Sequence, residues 1–379
     1  MDFNLTEEQH AIRAMASDFA AAEIAPNAIR WDEERHFPIP ALRAAASLGM
    51  AAIYVREDCG GSGLSRLDAA LIFEALAGAC PSIAAYLSIH NMAAWMIDAY
   101  GSDEQRSRWI PGLASMDLLA SYCLTEPGAG SDAAALATTA TRDGGDYVVN
   151  GQKQFISGAG SSDLYVTMVR TGGVGAKGVS TLVVPRDTAG MSFGANEKKM
   201  GWNAQPTRAV VFDNARVPVA NRLSDEGMGF RIAMAGLDGG RINIAACSLG
   251  GAQSALDKSI AYLGERAAFG KPLKAFQALQ FQAADMATDL EVARTFLWRA
   301  ATALDQQASD VGRLSAMAKR FVTDASFDVA NQALQLHGGY GYLTEFGIEK
   351  IVRDLRVHQI LEGTNEIMRV IIARDIFGR

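Results

Sequence analysis

Glu362, near the C-terminus, is the residue of this sequence best suited to acid–base chemistry. It lies in the segment H-Q-I-L-E-G-T-N-E-I-M-R, after the apolar pair Ile360–Leu361 and before Gly363–Thr364. Apolar surroundings disfavour a charged carboxylate and raise its pKa, which suits a general base at neutral pH. A glutamate beside a glycine is also common at a helix start, where the helix dipole favours its charge. The local sequence leaves both interpretations open.

Two other segments contain residue types that bind a flat ligand. In the first, Y-C-L-T-E-P-G-A-G-S-D at 122–132, Thr125 and Ser131 supply hydroxyl groups, and two glycines allow backbone N–H groups to approach a ligand closely. In the second, Q-F-I-S-G-A-G, Phe155 and Ser157 share one face of a predicted strand, so a ring and a hydroxyl could meet one heterocycle. The alternatives are an ordinary turn for the first segment and core packing for the second.

A third glycine-rich segment resembles a nucleotide site but is placed wrongly for one. Gly173, Gly175 and Gly178 form a G-x-G-x-x-G pattern, which in dinucleotide-binding folds follows a strand and opens a helix. Here the pattern leads into V-S-T-L-V-V-P, which predicts another strand. We therefore expect a hairpin loop and no nicotinamide site.

The predicted secondary structure that must position these residues changes twice along the chain, from helical to β and back to helical. Residues 1–118 are predicted to form a helical domain with a capped helix start at Thr6. Residues 119–225 contain short β-rich runs separated by turns, including Asn150–Gly151, which is typical of a two-residue hairpin. This domain is expected to be an antiparallel β-barrel or sandwich.

Residues 226–379 return to a helical pattern. Leu279, Met286, Leu290, Leu297 and Leu304 recur at steps of seven and four, which places them on one face of an amphipathic helix. Long helices with short connections predict a four-helix bundle. The fold class is therefore α+β with three domains.

Composition excludes several classes of protein. A net charge of −7 argues against a nucleic-acid surface, and no apolar run approaches the ~18 residues of a membrane helix. The N-terminus lacks the features of a signal or transit peptide, so we expect a cytoplasmic protein, or a mitochondrial matrix protein if the chain is a processed form. The histidines are scattered and no C-x-x-C occurs, which predicts no bound metal and four reduced packing cysteines: Cys59, Cys80, Cys123 and Cys247.

Together these segments resemble the acyl-CoA dehydrogenase family of flavoproteins, and the resemblance covers nearly the whole chain. Four motifs occur in the family's order: T-E-P-G-A-G-S-D (125–132), R-A-A-F-G-K-P-L (266–273), Q-L-H-G-G-Y-G-Y (335–342) and L-E-G-T-N-E-I (361–367). Three segments are similar to the branch that acts on isobutyryl-CoA: K-K-M-G-W-N-A-Q-P-T-R-A-V (198–210), L-D-G-G-R-I-N-I-A (237–245) and V-H-Q-I-L-E-G-T-N-E-I-M-R (357–369).

The resemblance implies FAD-dependent α,β-dehydrogenation of a short branched acyl-CoA, namely isobutyryl-CoA to methacrylyl-CoA in valine catabolism. Glu362 would remove the α proton, and the β hydrogen would leave as hydride to the flavin N5. The backbone N–H of Glu362 and a ribityl hydroxyl of FAD would polarise the thioester carbonyl. An electron-transfer flavoprotein would accept the electrons, and the assembly would be a homotetramer, a dimer of dimers.

The resemblance also assigns residues to three sets. The flavin would be lined by Tyr122, Leu124, Thr125, Ser131, Phe155 and Ser157. The FAD of a neighbouring subunit would be held by Arg266, Phe269, Gln277, Gln335 and Gly339, with Thr364 and Glu366 near the same cofactor. The substrate would contact Ser131, Asp238, Arg241, Glu362 and Gly363.

Four positions refine this picture. Phe155 stands where many relatives have tryptophan, and Ala268 where some have a hydroxyl residue, so one hydrogen bond to the FAD pyrophosphate is expected to be missing. Isovaleryl-type relatives carry their base in the segment that matches L-D-G-G-R, where this chain has Gly240. Glu362 is thus the only candidate base. Leu361 replaces the tyrosine of medium-chain relatives.

Other functions stay open from sequence. The substrate could be 2-methylbutyryl-CoA or butyryl-CoA. The protein could be an acyl-CoA oxidase that uses oxygen, or a non-catalytic member of the family that binds or supports a partner. The non-catalytic interpretation predicts a lost base, whereas Glu362 is present.

Overall fold

The computed structural model describes residues 4–378. The N-terminal segment is helical, as predicted. Thr6 caps the first helix in a reciprocal capping box with Gln9, and Ser65 and Ser102 begin later helices in the same way. The helices are α1 (Glu7–Phe19), α2 (Ala28–Glu33), α3 (Ile39–Ser47), α4 (Arg66–Ala79), α5 (Pro81–Tyr100) and α6 (Asp103–Ala114).

The middle segment forms one eight-stranded sheet. Its strands are β1 (Ala120–Cys123), β2 (Thr139–Asp143), β3 (Asp146–Ser157), β4 (Leu164–Arg170), β5 (Val179–Pro185), β6 (Met191–Phe193), β7 (Thr207–Pro218) and β8 (Arg222–Leu223). The order is β6-β7-β3-β2-β4-β5-β8, and β1 pairs with β4. Most pairs are antiparallel, but β1 and β2 each pair with β4 in parallel, so the predicted purely antiparallel sheet is wrong at these two contacts.

The Asn150–Gly151 turn prediction is also wrong. Both residues lie inside β3, opposite an irregularity in β7, and the hairpin turns instead at Gly144–Gly145. Gly151 has φ +144°, and a Cβ there would lie 2.6 Å from the Thr138 Oγ1. The glycine therefore allows the close approach of a neighbouring segment rather than a chain reversal.

The predicted hairpin loop at the G-x-G-x-x-G pattern is confirmed. The segment connects β4 to β5 and contains no helix that could receive a phosphate; only a short 3₁₀ turn, Ala176–Gly178, precedes β5. The Arg170 guanidinium donates to the carbonyl oxygens of Gly173 (2.6 Å) and Gly175 (3.1 Å), which fixes the loop against β4.

The C-terminal segment is helical, with three long helices and two shorter ones. Its elements are α7 (Gly229–Glu265), β9 (Ala267–Ala268), β10 (Lys271–Pro272), α8 (Gln277–Asp305), α9 (Val311–His337), α10 (Ile348–Arg356) and α11 (Asn365–Ile376). The apolar face predicted for α8 packs into the core: Met286, Leu290 and Leu297 are buried, and Leu279 and Leu304 pack against them.

The largest hydrophobic cluster joins both helical segments. It contains residues from α4 and α5 together with residues from α7, α8 and α9, and α4 packs against both α7 and α8. Helix α7 therefore lies at the centre of the molecule, which places its residues against elements from all parts of the chain. Between residues 4 and 378, no helix is long and apolar enough to span a membrane.

Candidate active site

Glu362 lies in a tight turn between α10 and α11. It has φ +54° and the following Gly363 has φ +88°, so two successive residues adopt the left-handed conformation. This conformation is unfavourable for a glutamate and persists only where its surroundings hold it. Thr364 then caps α11, accepting a hydrogen bond from the N–H of Ile367 (3.2 Å). The predicted helix-start interpretation is thus partly correct, but the cap is Thr364.

The Glu362 carboxylate points back at α7. A Cβ at Gly240 would overlap the Glu362 Oε2, so the glycine provides the space that the carboxylate occupies. This Oε2 is buried and has no hydrogen-bond partner among residues 4–378. Burial raises the pKa of Glu362 to about 7, although the charges of Lys319 and Arg241 lower it. A carboxylate with one buried oxygen free of partners and a pKa near neutrality can accept a proton from a bound ligand.

Two predicted substrate residues lie beside the base. Arg241 is buried and forms an ion pair with Asp238, with 2.6 Å between Nη1 and Oδ1. The Arg241 Nε also donates to the backbone carbonyl oxygen of Glu362 at 3.3 Å. Both residues lie on α7, three positions apart, next to Gly240. The structure therefore brings Asp238, Arg241, Glu362 and Gly363 together.

The two predicted flavin segments are joined by a buried ion pair that the sequence did not predict. Lys153, on β3, donates to the Glu126 carboxylate (2.7 Å) and to the Leu124 carbonyl oxygen (3.1 Å). The N–H of Gln154 donates to the Thr125 carbonyl oxygen (2.8 Å). Glu126 also accepts the N–H groups of residues 137 and 138. Satisfying both buried charges in this way makes the junction rigid.

Phe155 adopts a conformation that strand alternation does not predict. It has φ +59° and lies at a bulge in the β3–β7 pairing, between Lys153 and Ile156. Its side chain is 64% exposed, whereas Ser157 is half-buried. Bulges re-aim side chains near functional sites, and this one exposes an aromatic ring on the strand that is hydrogen-bonded to Thr125.

Comparison with known proteins decides the family. Sequence profiles of the N-terminal, middle and C-terminal domains of acyl-CoA dehydrogenases match residues 6–117, 121–215 and 227–377. The chain is 55% identical over 372 residues to the mitochondrial isobutyryl-CoA dehydrogenase of Bos taurus, an alignment that covers 98% of this chain and 89% of the relative. It is 54% identical to the corresponding enzyme of Dictyostelium discoideum, over 98% and 90%.

A solved structure agrees. The butyryl-CoA dehydrogenase of Megasphaera elsdenii matches with a TM-score of 0.97 at 35% identity, over 100% of both chains. The chain belongs to the acyl-CoA dehydrogenase family. The predicted family and fold class are confirmed. The protein is an acyl-CoA dehydrogenase, an oxidoreductase whose cofactor is FAD. The predicted domain limits at 118/119 and 225/226 stay predictions.

The open loop at Gly128 and Gly130 and the exposed ring of Phe155 are suited to binding the flavin. A Cβ at Gly128 or Gly130 would meet no atom within 4 Å, so the loop that carries them is open to a ligand. Thr125, at the start of this loop, is fixed to β3, which carries the exposed Phe155 ring. Tyr122, on β1, is half-buried and Leu124 is buried, whereas Ser131 is exposed in the loop. An open backbone and an exposed ring suit a flat heterocycle.

The residues predicted to hold a neighbour's FAD lie elsewhere on the dehydrogenase. Arg266, Gln335 and Gly339 line a surface groove of about 510 Å³, which contains none of the residues of the flavin loop. Phe269, in the turn between β9 and β10, is 95% exposed with φ +52°. Gln277 is exposed at the start of α8. A half-buried Ala268 also lines the groove and supplies no hydroxyl group.

Two predicted cofactor residues have mainly local roles. The Thr364 hydroxyl is used as the cap of α11, and Glu366 is exposed in the first turn of the same helix. The backbone and the Thr364 hydroxyl lower the pKa of Glu366, which keeps its side chain charged at neutral pH. Their predicted proximity to FAD stays a prediction.

Two buried groups near the base were not found from sequence. Lys319 lies on α9 and His358 four residues before Glu362. The His358 Nε2 accepts from the Trp202 Nε1 (3.1 Å), and its Nδ1 lies 2.6 Å from the Ser248 Oγ, so the segment before the base is tied to the middle domain and to α7. A signal did exist for Lys319, because it interrupts the apolar stripe of α9 between Ala316 and Val322.

Proposed function

We propose that this dehydrogenase converts isobutyryl-CoA to methacrylyl-CoA, the α,β-dehydrogenation step for a short branched acyl-CoA in valine catabolism. Two relatives at 55% and 54% identity carry the name isobutyryl-CoA dehydrogenase. Leu361, next to the base in sequence, stands where medium-chain relatives have tyrosine, which favours a short branched substrate. Butyryl-CoA and 2-methylbutyryl-CoA are the competing substrates.

In this proposal Glu362 is the catalytic base. The observation that carries it is the buried, unpartnered Oε2 set against Gly240, with burial raising the pKa of this carboxyl to about 7. At and above this pH the carboxylate is ionised, and it can take the α proton of a thioester. No charged hydrogen-bond donor contacts the Oε2 in residues 4–378, so no salt bridge to this oxygen competes with its acceptance of a proton.

The neighbouring groups orient the reaction. The backbone N–H of Glu362 would donate to the thioester carbonyl oxygen, where negative charge develops as the α proton leaves. Arg241 holds the backbone of the base through the Glu362 carbonyl oxygen, and Asp238 holds Arg241. FAD, when bound, supplies the acceptor for the hydride that leaves the β carbon. The exposed Phe155 ring and the loop at Gly128 and Gly130 would line that acceptor.

The substrate assignment is tested by a kcat/KM panel of isobutyryl-, 2-methylbutyryl-, butyryl-, isovaleryl- and octanoyl-CoA. Isobutyryl-CoA should give the highest value. One methylene group is worth only about 1–3 kcal/mol in a hydrophobic pocket, so discrimination against the neighbouring substrates of about 10- to 200-fold is expected. A preference for octanoyl-CoA over every branched substrate would contradict the proposal while leaving the family intact.

The electron acceptor is proposed to be an electron-transfer flavoprotein. The alternative is an oxidase, which would consume oxygen. Rapid mixing of substrate-reduced enzyme with aerated buffer, and separately with an oxidised electron-transfer flavoprotein, distinguishes the two. Fast reoxidation by the flavoprotein and slow reoxidation by oxygen are expected. Stoichiometric hydrogen peroxide at each turnover would identify an oxidase.

The assembly is proposed to be a homotetramer in which each groove holds part of a neighbour's FAD. The support is the exposed side chain of Phe269 next to a groove that contains Arg266 and Gln335, since an aromatic ring 95% exposed in one chain suits a contact between chains. Light scattering of the FAD-bound protein should give four chains. A monomer that retains FAD fully would contradict it.

A further inference from the structure

Lys319 is a buried cation without a carboxylate partner in the described part of the chain. It is fully buried on α9, between residues that pack into the main core, and no salt bridge reaches it from the part of the chain that the structure describes. Its Nζ instead donates to the Gly363 carbonyl oxygen (2.8 Å) and to the Asn365 Oδ1 (2.8 Å). Burying an ammonium group with only neutral partners is costly, so the position calls for a functional reason.

Both acceptors of Lys319 flank the turn that carries Glu362. Gly363 follows the base directly, and Asn365 begins α11. Asn365 is itself fixed, because its Nδ2 donates to the Asp324 Oδ1 (2.7 Å) and to the Thr323 Oγ1 (3.0 Å). The ammonium therefore holds the chain just after Glu362, at the place where two successive residues adopt positive φ.

Arg241 holds the same turn from a different helix. It donates to the Glu362 carbonyl oxygen from α7, whereas Lys319 donates to the next carbonyl oxygen from α9. The two cations differ in one respect: Arg241 is neutralised by Asp238 at 2.6 Å, and Lys319 has no such counter-ion among residues 4–378. The uncompensated positive charge at this turn is that of Lys319, and the carboxylate whose charge acts on it most strongly is that of Glu362.

We propose that Lys319 is a positioning residue for the base: it fixes the left-handed turn that aims Glu362 at Gly240, and its charge stabilises the ionised carboxylate. The inference rests on the proposed role of Glu362. Desolvation alone would push the carboxyl further toward its neutral form, in which it cannot accept a proton. The directions of the pKa shifts agree, because Lys319 lowers the pKa of Glu362 and Glu362 raises that of Lys319.

Glu362 and Lys319 both titrate near neutral pH, and burial also raises the pKa of Asp238 beside Arg241. Burial raises the pKa values of Tyr54, Tyr122 and Cys247, which face Glu362, and these groups stay neutral. Burial lowers the pKa of His358 to about 3, so it is also neutral. Lys319 itself has its pKa lowered to about 8 by burial. The other charged groups that face the pair are Arg241, Asp238, Asp324 and Glu366.

The test compares three variants by stopped-flow flavin reduction between about pH 5.5 and 9.5, a range that brackets both pKa values. Lys319→Met removes the charge and the donors, Lys319→Gln keeps a donor without the charge, and Lys319→Arg keeps both. An opposite charge at close range changes a carboxyl pKa by about 1–3 units. In the Met and Gln variants the apparent pKa should therefore rise by about one unit or more, with reduction about tenfold slower near about pH 6.5. Near about pH 9, where wild-type Lys319 is also neutral, the Gln variant should approach the wild-type rate.

The Arg variant should stay close to the wild-type pH profile. Lys258→Met is the matched control, since Lys258 is exposed on α7 and its charge acts on His337 and Lys350; its profile should be unchanged. A pH-independent loss of rate in Lys319→Gln would show that the lysine is structural only and overturn the inference. If Lys319→Met does not fold, the Gln and Arg variants still decide the point.

A measurement without turnover separates this inference from the proposed function. Difference infrared spectroscopy of the FAD-bound enzyme follows the protonated carboxyl band of Glu362, assigned by its absence in Glu362→Gln. The band should titrate at higher pH in Lys319→Gln. An unshifted titration, with Glu362→Gln inactive, overturns the role of Lys319 and leaves the base intact. A Glu362→Gln variant that reduces its flavin normally overturns the proposed function itself.

Discussion

The surroundings of Glu362 and the groove of Arg266 differ in how far one chain alone builds them. The Glu362 Oε2 is buried against Gly240 of α7, and Arg241 and Lys319 hold the carbonyl oxygens of Glu362 and Gly363. The groove is open, and the aromatic Phe269 beside it is 95% exposed. Proton transfer needs a dry, fixed site, which one chain can build by packing. A long cofactor can extend over a surface that a second chain covers.

The largest effect should follow from removing the base. Glu362→Gln keeps the shape of the side chain but cannot accept the α proton, so flavin reduction should fall about 10²- to 10⁴-fold while FAD and acyl-CoA still bind. Stopped-flow bleaching of the flavin measures this. Glu345→Gln, which changes an exposed glutamate in the loop before α10, is the control and should react normally. A fully active Glu362→Gln variant would leave the mechanism without a base.

Crowding the base should have a smaller effect. A Cβ at Gly240 would overlap the Glu362 Oε2, so Gly240→Ala must displace the carboxylate, and a displacement of about 1 Å can cost on the order of 10²-fold in rate. FAD content should be unchanged. Gly312→Ala, where a Cβ meets no atom within 4 Å, provides the control. Equal rates for both alanine variants would show that the carboxylate does not need this space.

The pH dependence should follow the raised pKa of Glu362. Below about 7 the base is protonated, and the rate of flavin reduction in free enzyme should fall about tenfold per pH unit. The free energy of unfolding has the opposite trend. Between the unfolded pKa of 4.5 and the folded pKa of about 7, the folded state holds a proton that the unfolded state has released. The contribution of Glu362 to the free energy of unfolding is therefore greatest below pH 4.5 and is lost as pH rises through about 7. Thermal unfolding of wild type against Glu362→Gln over this range checks the sign.

The smallest effect is expected at the groove. If a second chain places FAD there, Arg266→Ala removes one exposed contact and should weaken FAD retention several-fold, with little change in the rate of the loaded enzyme. Fluorescence titration of the apoprotein with FAD measures it. Arg216→Ala is the control: Arg216 is also exposed, but it forms surface ion pairs with Asp143 and Asp146. Such pairs contribute little to stability, so this variant should bind FAD normally. If both variants bind FAD with the same affinity, the groove does not take part in FAD binding.

The sequence predicted the pattern of helices and strands better than the details of the turns. Thr6 and the apolar face of α8 follow local rules, namely capping and helical periodicity, and both predictions are confirmed. Asn150–Gly151 matched a hairpin turn but lies inside β3, because the close approach of Thr138 decides its conformation. A contact between residues distant in sequence has no local signal.

The sequence by itself determined the order of helical and β segments, the family and the identity of the candidate base, because periodicity and motif spacing are local properties. The tertiary structure alone decided the state of that base. Burial of its Oε2 against Gly240, the left-handed turn, and the two cations of α7 and α9 come from helices far apart in the chain. The pKa of a carboxyl depends on the water and charges around it, and only packing places them.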